Sequence, residues 1–291
     1  MAKLKIVNNA KINLYLDVIG KFPDGYHKIE SIFQTVNLTD TLIFKEIPKG
    51  IQVITNNPFL PTDERNIIYK TIEMVKKRTN IKTGIQVQLQ KNIPICAGLG
   101  GGSGNSAGTL SALNSLWNLG WDELQLRNIA ERLGSDVPYF VTGGTQAVTG
   151  KGEILHPLPN INDQWLVLIH PDIPLSTAKV YQHPALSFRT HLDKNKKFTL
   201  PFIKAIVKLQ KREWEHVIYN RLEVPAFKIA PQLECIKTKI KKWGYPYVGM
   251  SGSGSTFFVL VESKEQGEKL IEKVKLRANL VKTEPFGIKI N

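Results

Sequence analysis

The chain has 291 residues, 42% hydrophobic and 22% charged, enough to bury a sizeable core in one large domain or two medium ones. No apolar run reaches the roughly 18 residues of a membrane span. The opening MAKLKIVNNAKINLYL alternates polar and apolar residues, unlike a signal peptide's apolar block, so the expectation is a cytoplasmic protein with no membrane partner. Its 39 Lys and Arg against 25 Asp and Glu leave a net charge of +14, which favours polyanionic partners without choosing among nucleic acid, acidic membrane and phosphorylated metabolites.

In chain order, KLKIVNNAKINLYLDVIG reads as one or two strands, and DTLIFKEI and GIQVQLQKNI alternate as half-buried strands do. In DERNIIYKTIEMVKKRTN, Ile67, Ile68, Ile72 and Val75 form one helical stripe, with Asp63 placed to cap it. GWDELQLRNIAERLG is a second helix, opened by a capping pattern at Asp122 and Gln125 and closed by Gly134. Strands follow around GGTQAVTGKGEILHPL, and the polar, Pro-bearing PNINDQW marks a domain boundary near residue 158. Beyond it come a strand WLVLIHP, several helices, the turn GMSGSGS leading into the strand TFFVLVE, a helix KEQGEKLIEKVKLR and a final strand. Strands mixed with helices, without regular β-α-β alternation, predict an α+β chain of two domains, 1–158 and 159–291.

Two features are read as structural. Cys96 and Cys235 are too few for a disulfide framework or a zinc site and are expected to be small buried thiols. Of the basic runs LDKNKKF, KLQKREWEH and KTKIKKW, the last two read as solvated helix faces.

The stretch NIPICAGLGGGSGNSAGTLSALNSLW is different. Six glycines fall between Gly98 and Gly108, just before a helical pattern. Glycine is costly to order, and a turn needs only one or two. A glycine loop entering a helix lets successive main-chain N–H groups converge on an anion, with the helix N-terminus adding partial positive charge; phosphate is the natural guest. No lysine lies between Gly98 and Trp117, which excludes a Walker A loop. Gly102, Gly104 and Ala107 meet the dinucleotide pattern formally, but Asp122 and Glu123, about twenty residues on, open a helix instead of ending a strand. A nicotinamide oxidoreductase is therefore set aside.

The remaining form, P-x-x-x-G-L-G-G-G-S from Pro94 to Ser103, resembles the phosphate loop of the GHMP kinase superfamily. NNAKINLYLDVIGKFPDGYHKIESIFQTV is similar to the opening signature of the 4-diphosphocytidyl-2-C-methylerythritol kinase family, LGSDVPYFVTGG to its catalytic-aspartate segment, and GMSGSGST to the superfamily's third glycine motif. The resemblance spans nearly the whole chain and is thin from about 184 to 215. It departs at Asn9 (usually Pro), Phe22 (usually Arg), Gly104 and Ser106 (a usual Ser-Asn-Ala context) and Arg221 (usually Asp).

The resemblance implies an N-terminal S5-like domain, a ferredoxin-like C-terminal domain and ATP-dependent phosphorylation of the 2-hydroxyl of a cytidine diphosphate ester in non-mevalonate isoprenoid synthesis. Asp136 would be the base and Lys11 its electrostatic partner. From the residues alone, Asp136 equally suits a helix cap and Lys11 a solvated strand position, facing away from Ile12, Leu14 and Leu16 together with Asn13 and Tyr15. The ATP side would use Pro94, the main chain from Gly98 through Leu99, Gly100, Gly101, Gly102, Ser103, Gly104 and Asn105 to Ser106, and Asn66, Ile67 and Lys91. The acceptor side would use Asn13, Tyr26, His27, Phe33 and Tyr181. Magnesium is expected on general grounds, without a protein-built metal cage. The motif from Gly249 to Gly254 suits either a turn under the phosphate loop or a ligand contact. A monomer or weak homodimer is expected. The rivals are another GHMP kinase with a different acceptor and a nucleic-acid binder. The latter is disfavoured because the interleaved aromatic and basic pattern of RNA-binding modules is missing.

Overall fold

Alternation of apolar positions draws the first fifty residues into two unusually long strands, β1 (Lys3–Lys21) and β2 (His27–Ile47). The computed structural model describes residues 3–188 and 197–290. Strands of this length must bend, and β1 does so at register shifts between Asn9 and Ala10, Asn13 and Tyr15, and Val18 and Gly20. The middle shift corrects one expectation. Because Leu14 is the extra residue, Tyr15 pairs with Ile32 and turns to the face of Ile12, while Leu16 joins Lys11 and Asn13.

The first half continues with β3 (Ile51–Thr55), α1 (Ile67–Thr79), β4 (Gly84–Gln90), α2 (Gly101–Leu116), α3 (Glu123–Glu131), α4 (Val137–Thr142), β5 (Thr145–Gly150) and β6 (Ile154–Pro157). The second half holds β7 (Trp165–His170), α5 (Thr177–Gln182), α6 (Leu200–Gln210), β8 (Tyr219–Asn220), α7 (Glu223–Ile229), α8 (Gln232–Lys242), β9 (Val248–Met250), β10 (Phe257–Val261), α9 (Lys264–Val274), β11 (Arg277–Glu284) and β12 (Ile288–Ile290). The mixed α+β class agrees with the sequence reading.

β2 is the spine: its outer end pairs with β4, its inner end with β5, and Thr35 and Val36 between them with β11. β11 is shared, since Arg277–Lys282 pair with β7 and Thr283–Glu284 with β2. β12 then pairs with β1. Residue 158 falls between β6 and β7, but the last residues cross back to the first half. Three apolar cores result: one beneath α1–α4, one between the halves around Tyr15 and Phe202, and one within the second half around Phe257 and Val259.

Several local expectations need correction. The cap of α1 is Asn66, whose side chain accepts from Ile68 N at 2.8 Å. Asp63 is instead engaged by the Arg65 guanidinium at 2.8 Å. The capping box at Asp122 and Gln125 is present, but α3 ends at Glu131, and Gly134 opens the next turn by accepting from Val137 N. Both cysteines are exposed: Cys96 lies on the loop before Gly98, and Cys235 faces away from the buried Leu233 and Ile240 of α8. KTKIKKW does form a solvated face, at the end of α8, whereas most of LDKNKKF lies outside the described residues.

Candidate active site

The glycine-rich stretch is mostly the first turns of a helix. Gly100 is the cap of α2 with φ 69°, and Gly104 N already donates to Gly100 O at 2.9 Å. The N–H groups of Gly101, Gly102 and Ser103 are therefore the ones left without a helical partner. A Cβ on Gly102 would meet nothing within 4 Å, so open space lies above the turn. Gly98 is needed for a different reason: with φ 76°, a Cβ there would lie 2.1 Å from Ser251 O. The Ser251 hydroxyl donates to Gly98 O at 2.8 Å, so the glycine motif at 249–254 packs against the loop. Gly252 and Ser253 also line the larger cavity beside the loop.

Two cavities meet at Gly98, Gly100 and Ser103. The smaller, about 390 Å³, is bounded by Pro61, Asn66, Ile67, Pro94 and the loop. The larger, about 840 Å³, contains Lys11, Asn13, Asp136, Tyr26, His27 and Tyr181. β1 sits directly under the loop, because Lys11 N donates to Leu99 O at 3.0 Å. The Lys11 ammonium lies 3.6 Å from an Asp136 carboxylate oxygen, donates to Asn13 Oδ1 at 2.7 Å, and stands 4.4 Å from the centre of the Phe33 ring. Burial draws its pKa below the ordinary 10.5, while Asp136 pulls the other way. Asp136 occupies the cap position of α4, but the capping hydrogen bond that position would allow is not made.

In the larger cavity, the His27 and Tyr181 rings are 4.9 Å apart, and Tyr26 is exposed at the mouth. Burial and the nearby Lys21 charge hold His27 below its usual 6.5, which favours the neutral imidazole. Phe33 is buried edge-on against Tyr139 and forms the floor under Lys11.

The GHMP kinase N-terminal domain model matches residues 66–144 and the GHMP kinase C-terminal domain model residues 202–279. A 4-diphosphocytidyl-2-C-methyl-D-erythritol kinase from Geobacillus kaustophilus is 37% identical over 270 residues, 92% of this chain and 91% of that one. The chain belongs to the GHMP kinases. Within them it groups with the 4-diphosphocytidyl-2-C-methyl-D-erythritol kinases, and it is an ATP-dependent small-molecule kinase. A crystal structure of 4-(cytidine 5'-diphospho)-2C-methyl-D-erythritol kinase superposes with TM-score 0.80 at 30% identity, covering 96% of this chain and 98% of that one. A homoserine kinase from Cytophaga hutchinsonii shares the fold, with TM-score 0.76 at 18% identity, covering 100% and 98%. The two-domain GHMP kinase fold is thus the architecture, and no helix among the described residues is long and apolar enough to cross a membrane.

Against this GHMP kinase frame, some residues sit elsewhere than expected. Ser106 is buried and shares a 2.8 Å hydrogen bond with Thr71, tying α2 to α1. A Cβ added at Gly104 would meet the Phe140 ring at 3.4 Å, and Asn105 accepts from Asn8 Nδ2 at 2.9 Å. All three lie past the open N–H groups because the helix has already begun, although Asn105 still touches the smaller cavity. Lys91 is turned inward, paired with buried Asp40 at 2.8 Å and bonded to Ile93 O, so its amine braces the loop from below. Arg221 pairs with buried Asp17, away from the cleft. Sequence reasoning missed Lys151 and Ser251. Lys151 lines the larger cavity, pairs with Asp24 and stands 4.6 Å from the Tyr26 ring centre. GKGE carries no signal for it, whereas Ser251 stood inside a recognised motif whose partner could not be seen.

Proposed function

We propose that this kinase transfers the γ-phosphoryl group of ATP to the 2-hydroxyl of 4-diphosphocytidyl-2-C-methyl-D-erythritol. The observation that carries the reading is the Lys11–Asp136 pair, 3.6 Å apart at the wall of the larger cavity, beside the glycine turn that both cavities share. Phosphoryl transfer asks the protein mainly for positioning, charge neutralisation and an acceptor for the hydroxyl proton.

ATP lies with its base against Asn66 and Ile67 and its phosphates on the open N–H groups of Gly101, Gly102 and Ser103. The space above Gly102 fits that guest. Ser103 lines both cavities, and its hydroxyl would be the side-chain ligand offered to Mg²⁺. When bound, the ion neutralises charge on the β- and γ-phosphate oxygens. The cytidine end is held by Tyr26, His27 and Tyr181, and Asn13 orients the acceptor end. Asp136 takes the 2-hydroxyl proton as that oxygen attacks. Lys11, desolvated over Phe33, holds the carboxylate in place across their 3.6 Å contact and offsets the charge that develops on transfer.

The deciding experiment is a coupled ADP-release assay with the cytidine diphosphate ester, mevalonate, homoserine and galactose offered separately. Turnover with the cytidine ester alone is expected. Turnover with one of the other alcohols, and none with the ester, would remove the acceptor assignment while leaving the kinase assignment in place.

A further inference from the structure

α1 carries Asn66 at its cap beside the nucleotide cavity, and its other end enters a separate groove. About 18 Å of helix separates Asn66 from Arg78. There, the last turns of α1 and the body of α3 enclose two connected hollows of about 110 and 310 Å³ that share Arg78, Ile129 and Arg132. Buried Ile129 and half-buried Met74 form the floor. Trp121 stands at one side, its main chain clamped by both ends of the Asn114 amide at 2.9 and 3.0 Å. The Arg78 guanidinium lies 5.9 Å from the Trp121 ring centre.

Two properties point to a ligand. No carboxylate lines either hollow, while three cations do. Lys77 is engaged by Glu73 at 3.2 Å, but among the described residues neither Arg78 nor Arg132 has an ion pair. Two guanidinium forks that line the same groove without a carboxylate partner suit bidentate binding of one phosphate group. Beside them the indole offers a flat face, and the amides of Gln125 and Asn128 offer hydrogen-bonding edges, Gln125 through the nitrogen left over from its cap. A charged group next to a planar body with polar edges describes a nucleotide.

We propose that this groove is a second nucleotide site, in which Arg78 and Arg132 grip the terminal phosphate and Trp121 stacks the base. ADP titrated calorimetrically into the full chain tests it. The wild type is expected to take up two equivalents, and Arg78→Ala/Arg132→Ala only the one that occupies the cleft. Both arginines are exposed, so the retained cleft equivalent is the control for folding. Charged hydrogen bonds of this kind make the expected loss at the groove about 100-fold or more. Trp121→Leu should weaken the second ADP equivalent at least about fivefold while leaving inorganic pyrophosphate, which has no base, unaffected at the groove. A single equivalent in the wild type, or loss of the cleft equivalent in the double variant, overturns the site. Pyrophosphate and ADP binding alike, with no effect of Trp121→Leu, overturns its nucleotide character.

Discussion

The two cavities that meet at the glycine turn are built from different materials. The smaller, proposed for the nucleotide, is mainly main chain and apolar surface; its buried cation, Lys91, is turned inward to Asp40. The larger, proposed for the acceptor, is built from side chains: an ion pair, three rings and a lysine at the mouth. Main-chain recognition depends on where the backbone runs, so it tolerates substitution everywhere except where a Cβ would collide. Side-chain recognition is exposed to every substitution.

The largest expected effect tests the acceptor wall at its chemical centre. Asp136→Asn and Lys11→Ala should each lower kcat by about 10² or more, the usual worth of a positioned base, while ADP affinity measured by titration stays within about twofold. Near-wild-type turnover in either variant removes that residue from the mechanism.

Next comes Gly98→Ala on the main-chain wall. A Cβ 2.1 Å from Ser251 O, at φ 76°, forces the loop and the second glycine motif apart. We expect a loss of about 1–3 kcal/mol of stability, read as a lowered Tm, together with a raised KM for ATP. Gly102→Ala is the contrast: with nothing within 4 Å of the added methyl, Tm should hold and only KM for ATP should rise. Equal Tm losses in both would mean that steric closeness does not distinguish these glycines.

Tyr181→Ala should raise KM for the cytidine substrate by about 5- to 100-fold, from stacking energies of about 1–3 kcal/mol per base. KM for ATP should be unchanged, and equal rises in both constants would erase the distinction between the walls. The smallest effect is in pH. Burial lowers the pKa of Lys11 despite Asp136, so the ammonium is lost on the alkaline side below pH 10.5. The alkaline limb of kcat should therefore fall below that value, and a profile flat to pH 10.5 would contradict it.

Much of this contrast was legible in the residues, unevenly. The glycine turn announced itself because glycine density has few physical explanations, yet its extent was not legible: Gly104 and Ser106 lie past the first helical hydrogen bond and off the cavity lining, while Asn105 still lines it. Whether a main-chain N–H is free depends on where the first helical hydrogen bond closes, which spacing does not reveal. Lys11 was placed correctly on its strand face, but Tyr15 was not, because a one-residue bulge at Leu14 inverts the alternation beyond it.

Local patterns determined the α+β class, the strand character of the chain's opening, the capping box at Asp122 and the presence of a glycine turn entering a helix, since each depends on residues near one another in the chain. Tertiary structure alone decided that Asp136 leaves its helix uncapped and meets Lys11, that Lys91 turns to Asp40, and that Ser251 closes on Gly98. Those contacts join residues 51 to 153 positions apart. Distances of that kind are set by the packing of whole strands and helices, which no short segment contains.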